Sequence, residues 1–354
     1  MIATAPGKLI VTGEYAVLDG APAIVVAVDR RAVARRNAVP RGSSPFLIAV
    51  ADEIAARRGA ADPAARAALE ISVDSTAFYD AIVGNSRTAT AMALGTIAAR
   101  RGTTEPPVRA ARELGIDRTK LGLGSSAAVT VAATALALGT TDRHEVLAVA
   151  QAAHARAQGP RGARGSGADI AASVHGGTIV FSRPGGGAGC RVERRRWPAA
   201  VAIAPFFTGF SADTAQLVAR VLAARDANRA AVDAALAAIA DASRAADAAL
   251  TAPGDIASVA LIGALALAAN ATDRLAIATA IDLVPECVTR ARAALARIGG
   301  TAKTTGAGGG DVGIAVFPAT VDATVVTRTL IEAGCQPLRI ALDDAGVDLR
   351  ADAS

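Results

Sequence analysis

The sequence predicts a mixed α/β protein built as two domains, and three observations lead there. At 354 residues the chain can bury two cores of the usual size, about 150 residues each. Short β-branched runs alternate with alanine-rich stretches of helical length. The clearest composition break, Arg183-Pro-Gly-Gly-Gly-Ala-Gly189, divides the chain near its middle, so the expected domains are 1–188 and 189–354.

Taken in order, Lys8 to Leu18 and Ala23 to Asp29 are apolar stretches about a turn at Asp19-Gly20, the pattern of a strand hairpin. Helical periodicity runs from Phe46 to Arg58, and Ile71 to Val73 alternates as a short strand. Asp80 to Arg118 is polar and irregular and leads to a glycine-rich turn at Gly122. Ser126 to Leu138 and Glu145 to Ala157 then read as helices, and Gly176 to Phe181 as a strand. Beyond the break, Ala199 to Ala204 is an apolar strand. Asp213 to Leu250 carries arginine and aspartate at helical spacing, the mark of helices packed by one face. Val259 to Asn270 and Leu283 to Ile298 are helical, Val312 to Phe317 is a buried strand, and the tail from Val321 alternates helix and strand. No internal repeat is found.

Composition narrows the function. Hydrophobic residues make up 52% and mean hydropathy is +0.37, but alanine carries much of it, so helix is indicated more than membrane. The longest polar-poor run, Ser258 to Asn270, falls short of the ~20 residues a spanning helix needs, and no membrane association is expected. The start, MIATAPGK, lacks a signal peptide's basic and apolar regions. Three scattered cysteines, Cys190, Cys287 and Cys335, suit neither a disulfide framework nor a zinc site, so a reducing cytoplasm is the expected location. A net charge of +5 would suit nucleic acid, yet aromatics are only 3% and no reading motif accompanies the charge. A small anionic substrate explains it as well.

Lysine usage is more specific. Only three of the 37 basic residues are lysines, Lys8, Lys120 and Lys303, and each stands beside a glycine-rich stretch. Lysine is a compact point charge and arginine a planar fork, so a phosphate-handling site can require one and reject the other. Chance placement of three surface lysines is the plain alternative.

The element Gly122-Leu123-Gly124-Ser125-Ser126-Ala127 opens a helix. Free N–H groups at a helix start bind phosphate, glycines let the ligand approach, and the two hydroxyls can meet phosphate or magnesium. It also satisfies G-x-G-x-x-A, with Asp142 twenty residues after Gly122, but Ile116 to Lys120 is too polar for the buried strand of a dinucleotide fold. No Walker motif occurs. Lys303-Thr-Thr-Gly306-Ala307-Gly308-Gly309-Gly310-Asp311 has almost no side chain to obstruct a ligand, although a tight turn would also use glycine. Gly165-Ser166-Gly167-Ala168-Asp169 follows Arg161 and Arg164. Its aspartate can hold a metal, orient Lys8, accept a proton, or only cap a helix. His144, His154 and His175 have no metal spacing and are read as structural.

In order and spacing, Ala5-Pro-Gly-Lys-Leu-Ile-Val-Thr-Gly-Glu-Tyr-Ala-Val-Leu18, Lys120-Leu-Gly-Leu-Gly-Ser-Ser-Ala-Ala-Val129 and Lys303-Thr-Thr-Gly-Ala-Gly-Gly-Gly-Asp-Val-Gly-Ile-Ala315 resemble the three motifs of the galactose, homoserine, mevalonate and phosphomevalonate (GHMP) kinase superfamily. Gly13-Glu14-Tyr15, Gly309-Gly310-Asp311, Ala153 to Gly159 before Gly165 to Asp169, and Thr208-Gly-Phe-Ser-Ala-Asp-Thr214 resemble its phosphomevalonate kinase branch more than its mevalonate kinase branch. Asp80 to Thr119 has no counterpart in these motifs.

The resemblance implies two α/β domains, an N-terminal ATP-binding domain and a C-terminal α/β sandwich, with the active site in the cleft between them. It implies ATP and Mg2+ as cofactors, small-molecule substrates rather than macromolecules, and phosphoryl transfer from ATP to 5-phosphomevalonate. Mevalonate kinase is the alternative, and a non-catalytic ligand-binding regulator a more distant one. Lys8 and Asp169 would be catalytic. Lys120, Gly122, Leu123, Gly124, Ser125, Ser126 and Ala127 would bind the ATP phosphates, with Ser126 on the metal. Ser166, Gly167, Arg161, Arg164, Lys303, Gly306, Ala307, Gly308 and Gly309 would bind the acceptor. Oligomeric state is left open, a homodimer included.

Overall fold

The computed structural model describes residues 1–36, 44–81, 118–159, 165–183, 189–253 and 256–352. The expected hairpin forms from Ile2–Thr12 (β1) and Ala23–Arg36 (β2), antiparallel, with Lys8 opposite Ala27. The strand ends at Thr12 rather than running to Leu18, because Gly13 and Tyr15 both take positive φ and turn the chain into a short 3-10 helix, Ala16–Asp19.

The hairpin is the centre of a six-stranded sheet. Thr178–Ser182 (β6) and Ile71–Asp74 (β3) both pair with β2, Arg191–Arg195 (β7) pairs with β6, and Asp348–Arg350 (β12) pairs with β1. A second, antiparallel sheet has the order Gln336–Pro337 (β11), Val201–Phe207 (β8), Val312–Pro318 (β10), Thr301–Thr304 (β9). Tyr79–Ala81 (β4) pairs with Arg118–Lys120 (β5), which joins the ends of the irregular region; 82–117 lies outside the described residues.

The composition break is therefore a connection within the first sheet, since β6 and β7 pair across it. Strands assigned by sequence to the second domain, β7 and the distant β12, complete the first sheet. A glycine-rich run signals a turn but not which strands it joins.

Helices cover one face of the first sheet. Ser125–Leu138 (α3) and Ala168–His175 (α5) pack against β1 and β2, and α3 is overlaid by Pro45–Arg58 (α1), Pro63–Leu69 (α2) and Arg143–Gln158 (α4). Ala127, Ala128, Ala132 and Ala135 of α3 are all fully buried; residues this small let a helix lie close between a sheet and a helical layer.

Thr214–Ala227 (α6), Arg229–Thr251 (α7) and Ile256–Thr279 (α8) form a layer that also touches β1 and β9. The continuous stretch expected from Asp213 is split at Asn228, whose φ of −138° is not helical. The run Ser258 to Asn270 belongs to a helix of 24 residues, because alanines, Arg274 and Leu275, all good helix formers, carry it past Asn270. By length and composition that helix could cross a membrane; here Leu261, Leu265 and Ala268 are buried where α8 packs against its neighbours. Glu286–Ala296 (α9) and Ala323–Glu332 (α10) pack against the second sheet.

Candidate active site

The first glycine-rich element meets the second at Lys8. The Lys8 backbone N–H donates to the Leu123 carbonyl at 2.9 Å, and its ammonium donates to the Gly122 carbonyl at 3.4 Å. Two glycines make room for this. Gly124 has φ 76° and a Cβ there would lie 2.9 Å from Lys8 Cε; Gly122 has φ 66° and a Cβ there would lie 2.5 Å from Asp311 Oδ2. A side chain at either position would be strained and would displace a charged group.

Gly124 is the N-cap of α3, and no side chain caps that helix; the first helical bond is Ala128 N–H to the Gly124 carbonyl. The N–H groups of residues 125 to 127 are thus left at a helix start, where the dipole favours an anion. Ser125 and Ser126 line the cavity there, whereas the side chains of Leu123 and Ala127 are in the core, so only their backbone can take part. Ser126 Oγ lies 3.1 Å from His154 Nε2, and the His154 ring stacks on Phe46 at 5.5 Å. His154 is structural, as the sequence suggested, but the group it positions belongs to the site.

Two adjoining cavities share Lys8, Gly122, Asp169, Thr214 and Asp311. One opens along Lys120, Gly124, Ser125, Ser126 and Gln158 and continues past Phe46 and Lys120 to a groove lined by residues 71 to 75 and Tyr79. The other runs between Tyr15, Ser166, Gly306, Ala307 and Gly308. Asp169, in the first turn of α5, faces both. The outline is a trough with Lys8 at its midpoint.

Asp311, absent from the sequence assignment, is a principal member of the site. It holds φ 53°, its main-chain N–H donates to Phe210 O at 2.6 Å, and Ala212 N–H donates to its Oδ1 at 3.3 Å. Burial pushes the Lys8 ammonium below its ordinary pKa, Asp169 and Asp311 pull it back up, and Lys120 lowers it further. Burial raises the Asp311 carboxyl, against the Ala212 N–H and the charges of Lys8 and Lys120. Its flanking motif was visible in sequence, but a glycine run is read for its backbone, and the aspartate at its end entered only as part of the resemblance. The segment Ser211 to Thr214, noted only as part of the resemblance, also lines the trough.

On the second arm, Tyr15 Oη donates to Ala307 O at 2.6 Å, which fixes the Gly306 turn against β1's exit. Burial, then the Glu14 charge, raises the Tyr15 phenol above its ordinary range. Gly309 packs on Leu217 and Gly167 caps α5 at φ 84°; neither lines the trough. Lys303 corrects the sequence assignment. It is 1% exposed, its ammonium is ion-paired with Glu14 and donates to Thr304 O at 2.7 Å, and so it faces the interior rather than a ligand. Spacing could not foresee this, since it does not say which face of β9 the lysine occupies. Arg161 and Arg164 lie outside the described residues.

Residues 89–177 match the family model described as GHMP kinases N terminal domain, a match that begins inside the stretch for which the motifs have no counterpart. The phosphomevalonate kinase of Streptomyces sp. (strain CL190) is 29% identical over an alignment of 378 positions covering 94% of this chain and 95% of that one. Among solved structures, a Lin0012 protein from Listeria innocua superposes with TM-score 0.72 at 20% identity, covering 98% of each chain. Streptococcus pneumoniae phosphomevalonate kinase, in complex with phosphomevalonate and AMPPNP, gives TM-score 0.69 at 17% identity over 97% of this chain and 100% of that one. The fold is that shared by these proteins.

Proposed function

We propose that this protein belongs to the GHMP kinase superfamily and is a phosphomevalonate kinase, which transfers the γ-phosphoryl group of ATP to 5-phosphomevalonate and yields ADP and 5-diphosphomevalonate, a step toward isoprenoids. The observation that carries the reading is the convergence of Lys8, the open N-terminus of α3, Asp169 and Asp311 on one two-armed trough. A relative bearing that name aligns over nearly the whole chain.

The geometry suits transfer between two anions. The second pKa of a phosphomonoester is near 6, so the attacking oxygen is already ionised at neutral pH and no strong base is required. Its lone pair forms the new bond to the γ-phosphorus as the bond to the ADP oxygen breaks, and charge gathers on the phosphoryl oxygens in flight. Lys8, between the arms, neutralises that charge, while the N–H groups of residues 125 to 127 hold the donor phosphates. Asp169 orients Lys8 and the acceptor. The arm lined by Tyr15, Ser166 and the Gly306 turn receives the acceptor.

Magnesium fits the residues present. Among the described residues no cluster of three or more His, Cys, Asp or Glu could cage a metal, whereas Mg2+ takes one or two protein oxygens and completes its shell with nucleotide phosphates and water. Ser126 Oγ and Asp169 are such oxygens at the trough. When bound, the ion neutralises phosphate charge.

Purified protein given mevalonate and 5-phosphomevalonate separately, with ADP release as readout, tests the reading. ADP release with 5-phosphomevalonate alone is expected; turnover of mevalonate alone would make it a mevalonate kinase.

A further inference from the structure

Cys287 and Cys335 belong to no part of the trough, and both are buried. Cys287 lies in the first turn of α9 and Cys335 between α10 and β11; the two thiols are close enough to hydrogen-bond to each other. Cys335 Sγ also donates to the Cys287 carbonyl at 3.6 Å. A cavity lined by Cys287, Phe210, Arg290 and Gln336 separates the pair from the surface, so a small reagent can reach Cys287. The hydrogen bond from Cys335, with Arg290 nearby, holds the Cys287 thiol below its ordinary pKa, which favours the reactive thiolate.

Thr208 connects this pair to the trough. Its carbonyl accepts from Cys287 Sγ at 3.4 Å, while its N–H and its Oγ1 donate to the Asp311 carbonyl at 2.9 and 3.0 Å. One residue therefore rests on the thiol with one end and holds Asp311 with the other. Thr208 also begins the segment whose Ser211 to Thr214 line the trough.

We propose that Cys287 and Cys335 form an oxidation site, a dithiol that closes to a disulfide and lowers turnover through Thr208 and Asp311. The reagent is a peroxide. The Cys287 thiolate attacks one peroxide oxygen, the O–O bond breaks, and Cys287 sulfenic acid forms with release of water once the leaving hydroxide is protonated. Cys335 sulfur then attacks the sulfenic sulfur; the S–O bond breaks, and the departing hydroxide takes the Cys335 proton and leaves as a second water. Two thiols lose two electrons and two protons, and one peroxide becomes two waters. Closure to the ~2.05 Å of an S–S bond removes the Cys287 S–H and with it the bond to the Thr208 carbonyl. The backbone that fixes Asp311 then loses its support from behind.

The effect on turnover rests on the proposed kinase reading; the chemistry of the pair does not, and the experiment separates them. The full chain is treated with hydrogen peroxide, digested without reductant and weighed for a peptide joining Cys287 to Cys335, while turnover of 5-phosphomevalonate and affinity for a non-hydrolysable ATP analogue are followed. The expected result is that crosslink, a loss of about five- to a hundredfold in turnover or analogue affinity, the usual range of coupling between sites, and recovery with dithiothreitol. Cys335→Ala should keep the reduced activity and give no crosslink, its Cys287 stopping at the sulfenic acid, which dimedone traps; Cys190→Ser should behave as the parent. Absence of the crosslink in the parent chain overturns the site. A crosslink that alters neither turnover nor analogue affinity overturns the coupling. If the parent chain turns over no acceptor at all, the kinase reading fails, and the crosslink and analogue affinity still decide this proposal.

Discussion

Lys8 is held by geometry as much as by charge. Its stem passes the space a Gly124 side chain would fill, and its ammonium is buried between carboxylates. Lys8→Met should lower kcat by about a hundred- to a thousandfold, the usual cost of one preorganised group facing developing charge. Lys8→Arg should not rescue it, since a planar fork does not fit the path of a compact stem. The pH dependence follows from the same burial. In its proposed role Lys8 must be protonated, and its pKa in the free protein lies below the ordinary 10.5, so kcat/KM should fall as pH rises through that depressed value, an alkaline limb that begins earlier than for a free lysine. Asp311→Asn removes a charge that raises the Lys8 pKa, so a pH–rate profile should show the limb moved to lower pH. A profile unmoved by that change would separate Asp311 from Lys8. Of these residues, Lys8, Ser126 and Asp169 were legible in sequence because their motifs are local. Asp311 was not, since its role depends on Gly122 arriving from nearly two hundred positions away.

At the level of elements, α3 opens at the trough with no side chain capping its N-terminus, and its alanines let it lie close between sheet and helices. Ala128 and Ala132 are fully buried, so Ala132→Leu should cost about 1–3 kcal/mol in a denaturant titration. Turnover should fall with it, since the helix carries Ser125 and Ser126. Helical reading gave α1, α3 and α4 within a few residues, because each keeps its apolar positions over several turns, whereas α8 runs nine residues past the expected end at Asn270. Strand pairing was another matter. The apolar character of β10 and β6 was plain, but partners are set by which faces meet in three dimensions, and a composition break was accordingly read as a boundary when it joins β6 to β7.

Across the whole molecule, the Glu14–Lys303 pair joins the turn after β1 to β9 of the second sheet, both side chains 1% exposed. Burial raises the Glu14 carboxyl, and Lys303 opposes that rise. Lys303→Met leaves the carboxylate without a counter-charge and should cost about 3–5 kcal/mol, with Glu14→Gln in the same chain restoring part of it. Thermal melts of the single and double variants provide the measurement. The sequence suggested that Lys303 bound the acceptor; instead it fastens the turn after β1 to the second sheet beside the trough. The last strand adds a constraint of another kind. β12 lies against β1, with Ile2 opposite Arg350, so during synthesis the sheet that carries Lys8 keeps an open edge until residues 348 to 350 have been made. A ribosome halted before that strand emerges holds a nascent chain with an unsealed, association-prone border.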